Sequence, residues 1–344
     1  MRDDIIGWDV GGAHLKAARI DAAGAVCAVV QVPCALWRGL GELRQAMARA
    51  VSHVGHSAHH AVTMTGEMVD LFPNRATGVV EIARCVIEPL AGSSVRFYRG
   101  DRAFVASDVV AVHAAAIASA NWRASVDLVA SHSAAGLFID IGSTTTDIIA
   151  IVDGQPRFHG RDDYSRLLCG ELVYSGLVRT PLMAVLDRVA FQGDVTPIVA
   201  EHFATMADVY RVLDELPKRA DQHPSADAVE KTSFASARRI ARMIGRDVES
   251  ATLDDWRELA RAFRSAQFAK IKTALNQVAS RVGVVQSMPL IGAGVGAFLV
   301  REIAQESACG YRSFAQLLTL AGPSEDAVTD VAPAVAVALL ARES

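Results

Sequence analysis

The chain has 344 residues with a formal net charge of −4, and 51% of its residues are hydrophobic and 21% charged. This length predicts two domains with sizeable cores, and the composition is typical of a globular rather than a disordered protein. The small net charge and the lack of a basic tract argue against nucleic acid as a partner. No apolar run approaches the ~20 residues that span a bilayer, which argues against a membrane protein.

The cysteines indicate a reducing compartment. They are odd in number and scattered, with no Cys-x-x-Cys pair, which argues against a disulfide framework or a zinc knuckle. Acidic residues precede the first apolar run of MRDDIIGWDVGG, so the N-terminus lacks the layout of a signal peptide. We expect a cytoplasmic protein. The cysteines are Cys27, Cys34, Cys85, Cys169 and Cys309.

The N-terminal segment predicts a β-hairpin with a glycine-rich turn. Apolar runs at 5–10 and 14–20 flank the sequence Asp-Val-Gly-Gly-Ala-His-Leu-Lys, which starts at Asp9 and ends at Lys16. A third strand is predicted at 25–32, a helix at 40–54 from its apolar spacing, and a fourth strand at 61–65. Gly11 and Gly12 would let the backbone approach a ligand closely.

The next segment offers one acidic candidate. Glu67 follows the fourth strand, and a loop with Arg75 leads into a predicted helix at 78–90. Glu67 at a strand end is suited to bind a cation, act as a base or cap the next helix, since an acid in a first helical turn favours the helix dipole. These alternatives stay open. A fifth strand is predicted at 95–98, and a helix rich in small residues at 107–122.

A second hairpin turn resembles the first. Apolar runs at 137–141 and 148–152 flank a turn of glycine and hydroxyl residues, with Asp140 before it and Asp147 after it. Backbone N–H groups after the glycine can form an anion site, and a carboxylate beside a phosphate suits a divalent cation between them. Ordinary tight hairpins would explain the glycines, but not the aspartate that starts each turn. The turn residues are Gly142, Ser143, Thr144 and Thr145.

The remainder of the chain is predicted to be strands and helices of a second domain. We predict a strand at 156–161, a helix at 168–178 and helical material at 194–283 that includes one helix at 254–282. A strand, a glycine turn and a helix follow at 289–300, and a final helix begins at 330. Near the 168–178 helix, Arg166 and Arg179 are suited to clamp carboxylate or phosphate groups, whereas a surface ion-pair patch is the open alternative.

Together these features resemble the superfamily of acetate and sugar kinases, heat-shock chaperones and actin. The resemblance implies an α/β fold of two ribonuclease-H-like domains facing a cleft, at 1–130 and 131–329, with a helical insertion at about 194–283. The closing helix at 330–344 would pack back on the first domain. It also implies that a nucleotide-edge loop contains Gly292, Gly294 and Gly296.

Five motifs resemble the hydantoinase/oxoprolinase-like group linked to tetrahydromethanopterin one-carbon metabolism. They are IGWDVGGAHLKAA at 6–18, TMTGEMVDLFPNRATGV at 63–79, DIGSTTTDII at 140–149, GELVYSGLVRTP at 170–181 and FATMADVY at 203–210. The resemblance implies a transferase of methanofuran biosynthesis. Such an enzyme condenses an aminomethylfuran-methyl diphosphate with the phenol of a tyramine or tyrosine glutamyl conjugate and releases diphosphate.

On this interpretation Mg²⁺ is held near Asp9 and Asp140, and Lys16 contacts the diphosphate beside the amides of the two turns. Glu67 or Glu171 takes the phenol proton. The arginines that would bind substrate carboxylate or phosphate are Arg75, Arg166 and Arg179.

The main alternative is an ATP-dependent small-molecule kinase, and the third is a nucleotide-binding sensor without turnover. Ala13 stands where the wider superfamily has Thr or Ser, and the larger hydantoinase subunits are about twice as long, so ring-opening ATP hydrolysis is disfavoured. Homo-oligomerisation stays open.

Overall fold

The computed structural model describes residues 3–283 and 288–344, and its first half contains a six-stranded sheet. The spatial order of the strands is β3-β2-β1-β4-β5-β6. The first three strands are antiparallel, whereas β4 pairs parallel to β1 and β5 parallel to β4. The strands are β1 Ile5–Val10, β2 His14–Ile20, β3 Val26–Pro33, β4 His59–Met64, β5 Ser94–Tyr98 and β6 Phe104–Ala106.

Two helices cover one face of this sheet, α1 Leu40–Val54 and α2 Arg75–Ile87. The apolar positions of α1 recur at helical spacing and are buried against the sheet. Helix α2 begins where the Asn74 side chain accepts a hydrogen bond from the Thr77 amide, which satisfies one of the free N–H groups of its first turn.

The second half contains a five-strand path in the order β10-β8-β7-β13-β14, with β9 paired to β8. Here β7 and β8 are antiparallel, and β13 runs parallel to both β7 and β14. A separate hairpin of β11 and β12 stands outside this sheet. The strands are β7 Gly136–Ile141, β8 Thr146–Val152, β9 Gln155–Arg157, β10 Leu172–Val173, β11 Arg188–Phe191, β12 Asp194–Pro197, β13 Leu290–Ala293 and β14 Tyr311–Ser313.

The remaining helices include α8, which has 29 residues and begins with a reciprocal capping box between Thr252 and Asp255. Its buried stripe joins α6 and α7 in the core of the second half. The helices are α3 Ala114–Ile117, α4 Asn121–His132, α5 Asp163–Cys169, α6 Met206–Val212, α7 Ser233–Arg242, α8 Leu253–Arg281, α9 Ala297–Glu306, α10 Glu325–Asp330 and α11 Ala332–Glu343.

Helices α4 and α11 join the two sheets. One hydrophobic cluster contains residues of both helices together with residues of both sheets, such as Ala61 and Phe138. Helix α11 lies directly against β1, because a Cβ on Gly7 would lie 2.0 Å from the carbonyl oxygen of Ala334. A side chain at residue 7 would therefore push the helix off the sheet.

Two predicted helices were wrong. The segment 107–122 contains only a short turn and α3, and the chain breaks at Ser119, whose φ is +51°, before α4 begins. The segment 168–178 also differs, because α5 ends at Gly170 with φ +74° and β10 follows. The alanine-rich stretch has no glycine or proline to mark the break, and the leucines near 170 belong to two elements rather than one.

The predicted two-sheet α/β fold is confirmed, as is the long helix α8. The predicted insertion at 194–283 starts with strand β12 before its three helices. The domain division at residue 130 stays a prediction. Across residues 3–283 and 288–344, no helix combines the length and apolar character needed to cross a membrane.

Candidate active site

The two predicted turns have the same geometry. The Gly11 amide donates to the carbonyl of His14 at 3.0 Å, and the Gly142 amide donates to the carbonyl of Thr145 at 2.9 Å. In the first hairpin Asp9 lies opposite Lys16 across the two strands. The second hairpin pairs Asp140 with Asp147 at the equivalent register. Each turn therefore carries an aspartate two residues before its first glycine.

Both turns line one cavity of about 110 Å³, which we call the loop cavity. The structure thus brings Asp9, Lys16 and Asp140 together with the glycines and hydroxyls of both turns. Its lining residues are Asp9, Gly11, Gly12, Ala13, His14, Lys16, Thr65, Asn121, Asp140, Gly142, Ser143, Thr144, Thr145 and Asp147.

Asp9 has one oxygen paired and one without a partner. The Lys16 Nζ lies 3.6 Å from Asp9 Oδ2, whereas Asp9 Oδ1 is buried and has no hydrogen bond. Burial raises the pKa of Asp9, and the charge of Lys16 opposes that rise. A buried carboxylate oxygen without a hydrogen-bond partner is costly, and a bound cation, a ligand or a water molecule would satisfy it.

Asp140 is buried among other carboxylates, and its pKa is raised. Burial raises its pKa to about 7, which Lys16 opposes and the charges of Asp147, Asp9 and Asp330 reinforce. Asp147 is paired with Arg166 at 2.7 Å, and Asp330 with Arg219. A cluster of negatively charged carboxylates favours the binding of a cation.

The side chains of the loop cavity could provide only some of the ligands that a Mg²⁺ ion needs. Within the part of the chain that the structure describes, no group of three or more His, Cys, Asp or Glu side chains could hold a metal alone. Mg²⁺ is commonly bound by one or two carboxylates together with substrate phosphates and water. Asp9 and Asp140 would be the carboxylates of such a site, and the buried Oδ1 of Asp9 has no hydrogen-bond partner.

The second turn is held rigidly from behind. The Leu177 amide donates to the carbonyl of Gly142 at 2.9 Å, and the Arg179 amide donates to that of Ser143 at 2.8 Å. A Cβ on Gly176 would lie 2.4 Å from the Thr144 nitrogen, so only glycine allows this approach. The amides and hydroxyls of the turn are therefore preorganised before a ligand arrives.

The glycines of the 292–296 turn have a packing explanation. A Cβ on Gly294, whose φ is +75°, would lie 2.3 Å from Asp140 Oδ1, and one on Gly296 would lie 2.4 Å from the Ile141 side chain. A Cβ on Gly292 would meet the Tyr311 ring at 2.9 Å. The turn thus presses against the Asp140 strand. Nucleotide binding at this turn stays a prediction.

A second cavity of about 240 Å³, which we call the cleft cavity, adjoins the loop cavity. Several residues line both of them, among them Thr65, Asn121 and Asp147. Gly12, Ala13, Thr144 and Thr145 also line both cavities. The residues that line the cleft cavity and not the loop cavity are Met68, Val69, Ser119, Trp122, Asp163, Arg166, Leu172, Tyr174 and Arg179.

The three predicted arginines have different surroundings. Arg166 is buried over the Trp122 ring at 3.9 Å and is already paired with Asp147. Arg75 donates to Asp163 at 2.8 Å and so links α2 to α5 across the cleft. Arg179 lies over a tryptophan ring and is the one of the three that forms no ion pair within the described residues.

Glu67 lies just behind the wall of the cleft cavity. Its Oε1 accepts a hydrogen bond from Ser119 Oγ at 2.8 Å, and its buried Oε2 has no partner. Burial raises the pKa of Glu67. Ser119 lines the cavity and holds a φ of +51°, a strained conformation for a serine. This contact makes Ser119 the link between Glu67 and the cavity.

Glu171 has a different position. Its two oxygens accept the backbone amides of His159, at 2.6 Å, and Gly160, at 3.0 Å. The side chain is buried and lines neither the loop cavity nor the cleft cavity. These bonds give Glu171 a structural role in holding the 159–160 loop, and the structure does not bring it to the site.

Five residues that line the loop cavity were missing from the predicted site, namely Ala13, His14, Thr65, Asn121 and Asp147. Asn121 starts helix α4, which the sequence did not predict, and Asp147 occupies the register position that Lys16 has in the first hairpin. His14 is buried with Nε2 unpartnered, and burial lowers its pKa well below the usual value. The repeat of the hairpin is the one signal that could have found Asp147.

The sequence matches the family model described as hydantoinase/oxoprolinase over residues 58–323. A protein of Methanocaldococcus jannaschii is 26% identical over 282 residues, which cover 82% of this chain and 83% of that protein. Its name is (4-{4-[2-(gamma-L-glutamylamino)ethyl]phenoxymethyl}furan-2-yl)methanamine synthase. A Methanococcus vannielii protein of the same name is 27% identical over 170 residues, covering 49% of this chain and 75% of that protein.

The fold also resembles a nucleotide-free structure of acetone carboxylase from work on ATP-dependent acetone carboxylation. The TM-score is 0.60 at 10% identity, and the match covers 97% of this chain and 70% of that one. At this identity the likeness shows a shared fold and no more.

Proposed function

The chain belongs to the hydantoinase/oxoprolinase family, and from this premise we propose that it is an ether-forming transferase of methanofuran biosynthesis. It would join an aminomethylfuran-methyl diphosphate to the phenol of a glutamyl conjugate of tyramine or tyrosine and release diphosphate. The name of the two archaeal relatives describes a product with these parts. The free cysteines agree with a reducing, cytoplasmic setting.

One observation carries the proposal: two matching turns line a single cavity with Asp9, Lys16 and Asp140 in its wall. The turn amides and the Lys16 ammonium would bind the diphosphate and stabilise its charge as it leaves. Asp9 and Asp140 would hold Mg²⁺, which supplies further neutralisation of the leaving group when bound. The same parts suit a diphosphate on a furan as well as one on a nucleotide.

The bond changes balance without a further reactant. The phenol oxygen forms a bond to the furan methylene carbon, and the bond from that carbon to the diphosphate oxygen breaks with its electron pair. The phenol proton passes to Ser119 Oγ as Ser119 passes its own proton to Glu67. The raised pKa of Glu67 makes it a stronger base than an exposed glutamate.

Glu67→Gln is expected to lower kcat about 10²-fold, because an amide keeps the contact with Ser119 but cannot accept the proton. Steady-state ether formation measured by mass spectrometry checks this. Glu258→Gln is the matched control, since Glu258 is exposed on α8 and lines neither cavity, and its kcat should stay within about twofold of wild type. Wild-type kcat in Glu67→Gln would exclude Glu67 as the base.

The proposed function is tested by incubating the protein with Mg²⁺, the furan-methyl diphosphate and γ-glutamyltyramine, with and without ATP. The expected result is the aryl ether and one diphosphate per ether, unaffected by ATP. Transfer of the γ-phosphate of ATP to a small molecule would support the kinase alternative. Nucleotide binding without any turnover would support a sensor.

A further inference from the structure

A third cavity, which we call the outer cavity, lies beyond the cleft cavity and has a volume of about 440 Å³. Arg179 lines both, so the two spaces meet at its side chain. Trp37 and Arg38 come from the short helical turn that follows β3, whereas the opposite wall comes from the second half of the chain, with His202, Arg211 and His223. A ligand that extends from the reaction centre past Arg179 would enter the outer cavity.

Two arginines of the outer cavity have no acidic partner within the described residues. They are Arg38 and Arg179, and the Arg179 guanidinium lies 4.9 Å from the centre of the Trp37 ring. Arg211 is different, because it pairs with Asp208 at 3.3 Å and with Asp221. Two guanidinium groups without an ion-pair partner in one cavity favour an anionic ligand. A planar guanidinium group can donate two parallel hydrogen bonds to a carboxylate.

The rest of the lining favours an organic anion over inorganic phosphate. Trp37 is 39% exposed, so part of its ring is available for contact with an aromatic or aliphatic ligand. His223 Nε2 donates a hydrogen bond to the Ala13 carbonyl, 2.6 Å away, and burial lowers the pKa of His223, so it adds no positive charge near neutral pH. Asp208 and Asp221 also line the outer cavity and both pair with Arg211, so the remaining positive charge comes from Arg38 and Arg179 beside the Trp37 ring.

We propose that the outer cavity binds the carboxylate end of the acceptor, with Arg38 and Arg179 as the carboxylate-binding residues. This inference rests on the function proposed above, in which the acceptor has a phenol at one end and a glutamyl group at the other. With the phenol oxygen beside Ser119 in the cleft cavity, the glutamyl group extends past Arg179. The outer cavity then selects acceptors that carry a glutamyl carboxylate over tyramine, which has none.

The test compares kcat/KM for γ-glutamyltyramine and for tyramine in wild type and variants. Wild type is expected to prefer γ-glutamyltyramine, and Arg38→Ala and Arg179→Ala should each reduce that preference at least about 10-fold. Arg38 is exposed, so its removal leaves the core intact. The matched control is Arg161→Ala, because Arg161 is an exposed arginine in another cavity that shares Ser119 and Trp122 with the cleft cavity.

An equal loss on both acceptors would overturn the inference, and so would a loss of preference in Arg161→Ala alone. If wild type forms no ether with either acceptor, the proposed function fails, and calorimetry then tests the outer cavity separately. Wild type should bind γ-glutamyltyramine at least about 10-fold more tightly than tyramine, with that difference lost in Arg38→Ala. Equal affinity for the two ligands in wild type would contradict the assignment.

Discussion

Asp9→Asn is expected to lower kcat/KM for ether formation at least about 10³-fold while leaving the fold intact. The amide keeps the volume of the side chain but removes the charge that Lys16 faces at 3.6 Å and the oxygen that has no protein partner. Loss of that charge weakens the cation site and leaves Lys16 without its partner. Steady-state kinetics and circular dichroism of the purified variant check both parts.

Asp187→Asn serves as the matched control for Asp9→Asn, because Asp187 is exposed beside β11 and lines neither the loop cavity nor the cleft cavity. Its kinetics should equal those of wild type. If Asp9→Asn turned over like wild type, the loop cavity could not be the active site of either the transferase or the alternative kinase.

Asp140→Asn is expected to stabilise the metal-free protein although it abolishes activity. Burial raises the pKa of Asp140 from 3.8 to about 7 in the folded protein. The folded side chain therefore keeps its proton to a higher pH than the unfolded one does. As pH rises between these values the unfolded chain ionises and the folded chain does not, so wild-type stability falls by about 1.4 kcal/mol per pH unit. Asparagine does not ionise, so this decrease of stability with rising pH is absent from the variant.

The gain for Asp140→Asn should therefore be about 4 kcal/mol at pH 8 and less than half of that at pH 5. Denaturant unfolding in the presence of a chelator at the two pH values measures it. Saturating Mg²⁺ should restore much of the wild-type stability at pH 8, since a bound cation favours the ionised carboxylate. A variant that is less stable than wild type at pH 8, or equally affected at both values, would contradict the raised pKa that burial and the neighbouring carboxylates give Asp140.

The two turns could be predicted because their signals are local. A glycine and small hydroxyls between apolar runs indicate a hairpin, and the aspartate two residues before Gly11 or Gly142 recurs at the same place in each. Strand pairing then fixes which residues face each other, so Asp9 and Asp140 reach one cavity once the two halves meet. The repeat carried more information than either turn alone.

The surroundings of the turns could not be predicted in this way. Ser119 reaches Glu67 because the chain breaks at a positive φ inside an alanine-rich stretch, and no glycine or proline marks that break. Glu171 resembled a candidate base in the sequence, yet its oxygens hold backbone amides. The outer cavity joins residues as distant in sequence as Trp37 and His223, which local patterns cannot bring together.

Isothermal calorimetry with inorganic diphosphate, with and without Mg²⁺, tests whether the two turns form a metal-dependent diphosphate site. We expect one diphosphate site per chain that requires Mg²⁺, needs no adenosine and weakens at least about 10-fold in Lys16→Ala. Diphosphate that binds Lys16→Ala as tightly as wild type, or a site that accepts phosphates only as part of a nucleotide, would contradict it.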